Sequence, residues 1–218
     1  MKRLKLKCRP LDDLLGGGLE RGTITKIYGE AGSGKTNLCL QAARECANNA
    51  KKIAYIDSEG VSIERLSQIC DKEYNFKKVL DKILFFNPEN FENQEKIITD
   101  VTKMKDIDLI VIDTINLFYR IFLEDDKEAA MRSYLRQMAI LQMHARQKNV
   151  YVLVVEQVYT DKNNEIKPFT HRETEHMVKT AVKLEKESIG KRSATIMKHR
   201  SEPEGKTRIF SIKKDGLE

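Results

Sequence analysis

The stretch GEAGSGKT, residues 29–36, holds the most telling chemistry of the chain. Gly29, Gly34, Lys35 and Thr36 occupy the four fixed places of G-x-x-x-x-G-K-[ST]. Glycines let the backbone curl until successive N–H groups point inward, where they can cradle phosphate oxygens. A helix opening just after Gly34 would add its positive end at the same spot. Lys35 then reaches the β- and γ-phosphates of a nucleotide, and the Thr36 hydroxyl is placed to ligate Mg²⁺. Glu30, Ala31, Gly32, Ser33 and Asn37 complete the lining. The spacing predicts a site for ATP with Mg²⁺. The plainer alternative is a glycine-rich turn that binds nothing.

Three further polar groups sit where apolar runs end. Asp113 closes LIVID; a strand-terminal Asp beside such a turn usually holds the metal's hydration shell, and otherwise caps a helix. Glu59 lies two residues past AYID. A parallel sheet presents its strand C-termini on the phosphate side, so Glu59 either orients a water toward the γ-phosphate or is an ordinary loop carboxylate. Gln157 ends LVVEQ and offers a neutral amide suited to sensing that phosphate. Lys35, Glu59 and Gln157 are the expected catalytic set for in-line attack of water, with Thr36 and Asp113 on the metal.

These side chains need a particular scaffold. The apolar runs TITKIYG (23–29), KKIAYID (51–57), KILFFN (82–87), DLIVID (108–113) and VYVLVVEQ (150–157) read as strands. Between them, helical patterns span Gly34 to about Asn48, 62–74, 93–104 and Asp126 to Lys148; in the last, Met131, Leu135, Met138, Leu141 and Ala145 recur at helical spacing. Such β-then-α order predicts an α/β fold, a mostly parallel central sheet with helices on both faces. Beyond a polar stretch ending near His176, AVKLEKE, RSATIMKHR and KTRIFSIKKD alternate like antiparallel strands.

Bulk properties narrow the setting. A chain of 218 residues with 40% hydrophobic content suits one α/β domain with a substantial core. Its apolar runs fall short of the roughly 18–20 residues of a membrane span, and MKRLKLKCRPLDD lacks the apolar segment of a signal peptide. The expected setting is cytoplasmic, with no membrane contact. Cys8, Cys39, Cys46 and Cys70 show no metal-ligand spacing and read as buried hydrophobes, Cys39 and Cys46 on one helix face. Net charge is +6, and residues 183–214 carry all of that surplus.

Taken together, these segments resemble the RecA-fold recombinases, most closely the short archaeal RadB paralogues of RadA. LDDLLGGGLERGTITKIYGEAGSGKTNLCLQ, IAYIDSEGVSIERL, LIVIDTINLFYR, VVEQV and KHRSEPEG carry the likeness, which covers nearly the whole chain. It implies a RecA-like P-loop ATPase core over residues 1–218. Glu59 would be the water-orienting base, and Gln157 would couple the γ-phosphate to a DNA-binding loop beginning at Val158. Arg65 would lie over the adenine as a cation–π partner, and Pro203 would cap a neighbour's nucleotide in a filament-like homo-oligomer. Implied partners are single-stranded DNA and a RadA-type recombinase.

The departures from that pattern matter equally. The chain starts almost at the ATPase core, without the N-terminal helix-hairpin-helix domain of RadA-type recombinases, and it holds no F-x-x-A docking motif. Where their first DNA loop carries glycine and arginine, this chain reads IFLEDDKEAA, and their Asn-Gln becomes Glu156-Gln157. Residues 158–179 are balanced in charge, with Tyr159 and Phe169 able to stack on bases or to pack at a loop edge. The later surplus, above all Lys198, His199, Arg200, Lys206 and Arg208, is either a solvated basic face or a phosphate-tracking patch for single-stranded DNA. Three functions follow from these features: an ATP-regulated recombination accessory, an autonomous strand-exchange recombinase, or a small-metabolite kinase. The last needs a lid of arginines, and 117–128 offers only Arg120.

Overall fold

The computed structural model describes residues 3–70, 74–161, 166–168 and 172–218. In chain order the elements open with β1 (Arg3–Leu4), α1 (Arg9–Leu14), β2 (Leu19–Glu20), β3 (Thr23–Gly29), α2 (Lys35–Asn48), β4 (Lys52–Asp57), α3 (Ile63–Ile69), α4 (Phe76–Leu80) and β5 (Ile83–Phe86). They continue with α5 (Phe91–Lys103), β6 (Ile107–Asp113), α6 (Leu117–Phe122), α7 (Lys127–Lys148) and β7 (Tyr151–Glu156). The short hairpin β8 (Val158–Thr160) and β9 (Ile166–Pro168) precedes a single 3-10 turn at Arg172–Thr174. The chain closes with β10 (Val178–Ser188), β11 (Lys191–Lys198), β12 (Thr207–Lys213) and β13 (Gly216–Leu217).

Nine strands form one sheet in the order β13-β12-β11-β10-β3-β7-β6-β4-β5. The six from β5 to β10 run parallel; β11, β12 and β13 then alternate in direction. This is the RecA-like α/β fold, with a mostly parallel sheet and C-terminal antiparallel strands. Strands buried on both faces need apolar residues on both, and β3 is buried throughout. One core packs Ile27, Val111 and Leu153 against α2 and its neighbours; the other packs Ile24, Ile110 and Val152 against α5 and α7. All four cysteines are free and buried, with Cys39 and Cys46 in the same core.

Local chemistry sets where the helices begin. Ser62, Asn90 and Asp126 each accept a backbone N–H from the first turn of α3, α5 and α7, satisfying a donor that would otherwise be orphaned. Three features differ from the sequence reading. The helix expected over 62–74 ends at Ile69; α4 and α6, of five and six residues, are too short to show a period. The third concerns direction: β10 is antiparallel to β11, as expected, but on its other side runs parallel to β3, pairing Val178 with Ile24 and Leu184 with Gly29. The chain therefore returns to the far edge of the sheet before β10, and β10 ends beside the glycine-rich turn.

That direction has consequences for the site. The Leu184 carbonyl stands only 2.2 Å from where a Cβ on Gly29 would lie, so the approach requires glycine. The Phe210 and Ile212 side chains of β12 pack over Gly34, 3.6 and 3.2 Å from where a Cβ would lie. Phe210 is buried, and Phe210→Ala is expected to cost about 3–5 kcal/mol of stability. Urea unfolding followed by circular dichroism checks it.

Candidate functional site

The turn between β3 and α2 is built from glycines in conformations that other residues avoid. Gly32 and Gly34 have φ of 74° and 102°, and Gly34 is the N-cap of α2. Lys35 folds back over the turn and donates to the carbonyls of Gly29 at 2.7 Å and Glu30 at 2.9 Å. Burial pushes its ammonium down from the ordinary lysine range, while Glu59 and Asp113 pull it up. From outside, Arg192 donates to the Gly32 carbonyl at 2.9 Å, so the C-terminal strands buttress the turn.

Asp113 sits at the C-terminal end of β6, buried, and is no helix cap: Asn116 takes that place for α6. It accepts a hydrogen bond from the Tyr55 hydroxyl at 3.0 Å. Burial pushes its carboxyl up to about 6, against the pull of the Thr36 and Tyr55 hydroxyls. Its Oδ1, and the buried Ser33 Oγ, have no hydrogen-bond partner. The Ser33 hydroxyl lies inside the curl, 2.9 Å from where a Cβ on Gly29 would stand. An open glycine cradle with a half-buried ammonium, a hydroxyl and a carboxylate at its mouth, and two orphaned oxygens fits a Mg²⁺-bound phosphate chain.

Glu59 reaches the same rim from the loop after β4. The buried Asp57 carboxylate fixes that loop by accepting from the backbone N–H of Glu59, Gly60 and Val61 at 3.2, 2.9 and 2.5 Å. Glu59 Oε1 accepts from Thr114 Oγ1 at 2.5 Å and from Gln157 Nε2 at 2.8 Å. Gln157 accepts in turn from Arg120 at 2.5 Å, and its backbone is held on both sides by the Asn116 amide. The structure thus joins Arg120, Gln157, Glu59 and Thr114 in one chain of hydrogen bonds at the strand ends.

A recombination-family sequence model described as Rad51 matches residues 2–218. The chain belongs to the Rad51 family, in its archaeal RadB branch. It is 41% identical to the DNA repair and recombination protein RadB of Methanococcoides burtonii, over 99% of this chain and 97% of that one. The protein of the same name from Thermoplasma acidophilum is 36% identical, over 100% and 94%. A crystal structure of a RadB recombinase superposes with a TM-score of 0.87 at 34% identity, covering 98% of each chain. This is a recombination and repair protein of that family, and the Rad51/RecA family is nucleotide-binding.

In this Rad51-family chain Arg65 lies beside the site without a free guanidinium. It donates to Asn37 at 2.6 Å, to the Lys213 and Lys214 carbonyls at 2.7 and 2.6 Å, and to Gln68 at 3.1 Å. The basic residues of the C-terminal hairpin are also engaged. Arg200 pairs with Glu20, Lys206 with Glu202, and Lys198 donates to the Glu175 carbonyl. His199 Nδ1 accepts from the backbone of Ser201 and Glu202, and burial lowers its basicity. Strand β11 ends at Lys198, so Arg200 lies in the turn beyond it; Arg208 is exposed on β12 opposite Ala194. Of the rim segment, Lys162, Glu165, Phe169 and His171 lie outside the described residues. Tyr159 is exposed, and Asp161 pairs with Lys167.

A second layer beneath the rim escaped the sequence reading. Lys26 and Glu156, 5% and 0% exposed, form an ion pair at 3.3 Å between β3 and β7. Glu156 also accepts from the Tyr134 hydroxyl at 2.8 Å, and Tyr134 stacks on Tyr119 at 4.6 Å. The neighbours of these residues, Gln157 and Arg120, carry the rim chain above. The available signal was a lone lysine inside the apolar run TITKIYG.

Two predictions follow from burial. The folded chain holds the Asp113 proton up to about pH 6 and the unfolded chain only to 3.8. Stability from this group is therefore present below 3.8 and lost as pH rises through about 6. In nucleotide-free protein Asp113→Asn should stabilise by up to about 3 kcal/mol at neutral pH, with the gain vanishing in acid; thermal unfolding against pH measures it. Glu156→Gln leaves Lys26 without its counter-charge and should cost about 3–5 kcal/mol. Joining it to Lys26→Met should recover part of that loss, read by the same denaturant curves.

Proposed function

We propose that this chain is an ATP-binding, slowly hydrolysing, DNA-binding accessory of recombination that works in the cytoplasm beside a RadA-type recombinase. The observation that carries the reading is the placement of Gln157. Its amide joins Glu59 to Arg120 on the phosphate rim, and the next residue, Val158, begins the β8–β9 hairpin. A group touching both the phosphate side and the start of a polar loop is suited to pass on whether a γ-phosphate is present. ATP supplies that charge and the scissile anhydride; Mg²⁺ would be held by Thr36 and Asp113. Lys35, freed from its two carbonyls, would hold the phosphates, and Glu59 would orient a water. Arg65 and Asn37 flank the base, and Pro203 meets a neighbouring copy where one is present.

Two features favour slow turnover over full strand exchange. Glu59 enters the site already committed to two donors, which weakens it as a base. The loop after α6 presents Glu124, Asp125 and Asp126 to solvent, which repels a phosphate backbone. ATP then serves mainly as a ligand that selects one arrangement of the rim. Phosphate contacts to single-stranded DNA fall to the C-terminal hairpin through Lys198, His199, Arg200, Lys206 and Arg208. Four neutralised phosphates would give a salt slope of about −3.

The test combines ATP turnover, with and without oligothymidylate, with sedimentation. The reading expects slow turnover, salt-sensitive strand binding and no long filaments. Strong stimulation by DNA with filament formation would instead make the protein an autonomous recombinase. Lys35→Ala should abolish nucleotide binding and leave the salt-dependent strand contact within about twofold, since its phosphates are neutralised elsewhere. Loss of both in a folded variant contradicts two separate sites.

A further inference from the structure

The end of the sheet opposite the phosphate-binding turn carries a second concentration of charge. A surface hollow of about 830 Å³ opens there, among the starts of β4, β6 and β7 and the ends of α5 and α7. Lys51, Lys52, Lys82, Lys103, Lys105 and Lys148 line it, against Asp106 and Asp108. Lys103 pairs with Asp100, and Asp108 pairs with Arg21. Among the described residues the other five lysines have no ion-pair partner. The lining has a surplus of four positive charges, where the whole chain has six. A neighbouring hollow of about 410 Å³ shares Lys51 and extends the charge with Lys5 and Lys7.

Helix dipoles account for only part of this. Cations in the last turn offset the negative end of a helix, and Lys103 and Lys148 hold such positions. Lys51, Lys52, Lys82 and Lys105 lie outside the helices. His144, on the wall of the same hollow, has its basicity lowered by burial and by Lys148, so it adds no further charge at neutral pH. Like charges crowded round one hollow repel over roughly the 8 Å screening length of physiological salt. A polyanion removes that repulsion.

The lining also says which polyanion. Lysine is depleted at protein interfaces and aromatic side chains are enriched there; this hollow has many of the first and none of the second. Single strands are held by stacking their bases on aromatic rings; the phosphate-side rim offers the exposed Tyr159 for that, whereas this hollow offers no such ring and suits a backbone whose bases are already paired. We propose that this face docks the phosphate backbone of double-stranded DNA, apart from the nucleotide site and from the single-strand contacts above.

The test is anisotropy binding of a blunt duplex and of oligothymidylate to wild type and to K51Q/K105Q/K148Q, all exposed positions. A control, K77Q/K96Q/K127Q, removes the same charge from exposed sites elsewhere. Thermal unfolding establishes that both variants fold. Duplex affinity should fall at least about tenfold in the first variant and its salt slope should shrink by about 2.7, with oligothymidylate binding within about twofold and the control near wild type. Unchanged duplex binding, an equal loss of single-strand binding, or an equal loss in the control would each overturn the proposal. Nucleotide binding is unaffected in every case, so the outcome is independent of the ATP reading.

Discussion

A lysine and an aspartate held short of solvent at the mouth of a parallel sheet form the constraint on which the site depends. Burial acts on each against its charge: it lowers Lys35 and raises Asp113 to about 6. Neither group is fully compensated by protein. Lys35 rests on two backbone carbonyls, and one oxygen of Asp113 has no partner. A site in that condition gains more from an incoming polyphosphate and cation than a solvated pair would, because interactions strengthen where water is excluded.

The fold supplies the exclusion. Parallel strands deliver Asp113, the Glu59 loop and Gln157 to one edge, and the parallel course of β10 brings Leu184 hard against Gly29. The C-terminal strands are thus the wall of the cradle as well as the carriers of basic charge. Beneath the rim, the buried Lys26–Glu156 pair and the Tyr119–Tyr134 stack fix β7 and α6, whose next residues form the Arg120–Gln157–Glu59 chain. Glutamate at position 156, the departure from the recombinase pattern, has its partner built in.

Much of this was legible in the sequence because it is local. The G-x-x-x-x-G-K-T spacing, the apolar runs and their terminal carboxylates are read within a few residues; the RadB likeness chose between the two readings of Glu59 and added Arg65. What escaped depends on distant partners. The anchoring of the Glu59 loop by Asp57 needs three amides curled round one carboxylate. The parallel direction of β10 is invisible in an alternating pattern, which antiparallel strands share. Lys26 joins Glu156 across 130 residues, and the short helices α4 and α6 present too few turns for a period to show. The basic hairpin was legible as charge but not as pairing: Glu20 and Glu202 become neighbours of Arg200 and Lys206 only in the fold.

The most direct measurement is amide hydrogen exchange across residues 29–36 in nucleotide-free protein and with saturating Mg²⁺–ATP. If the curled turn and Lys35 take up the phosphates, the amides from Ala31 to Thr36 slow sharply with ATP and stay fast in a folded Lys35→Ala variant. Exchange in this segment that ignores the nucleotide, or protection that arises only elsewhere in the chain, would contradict the account.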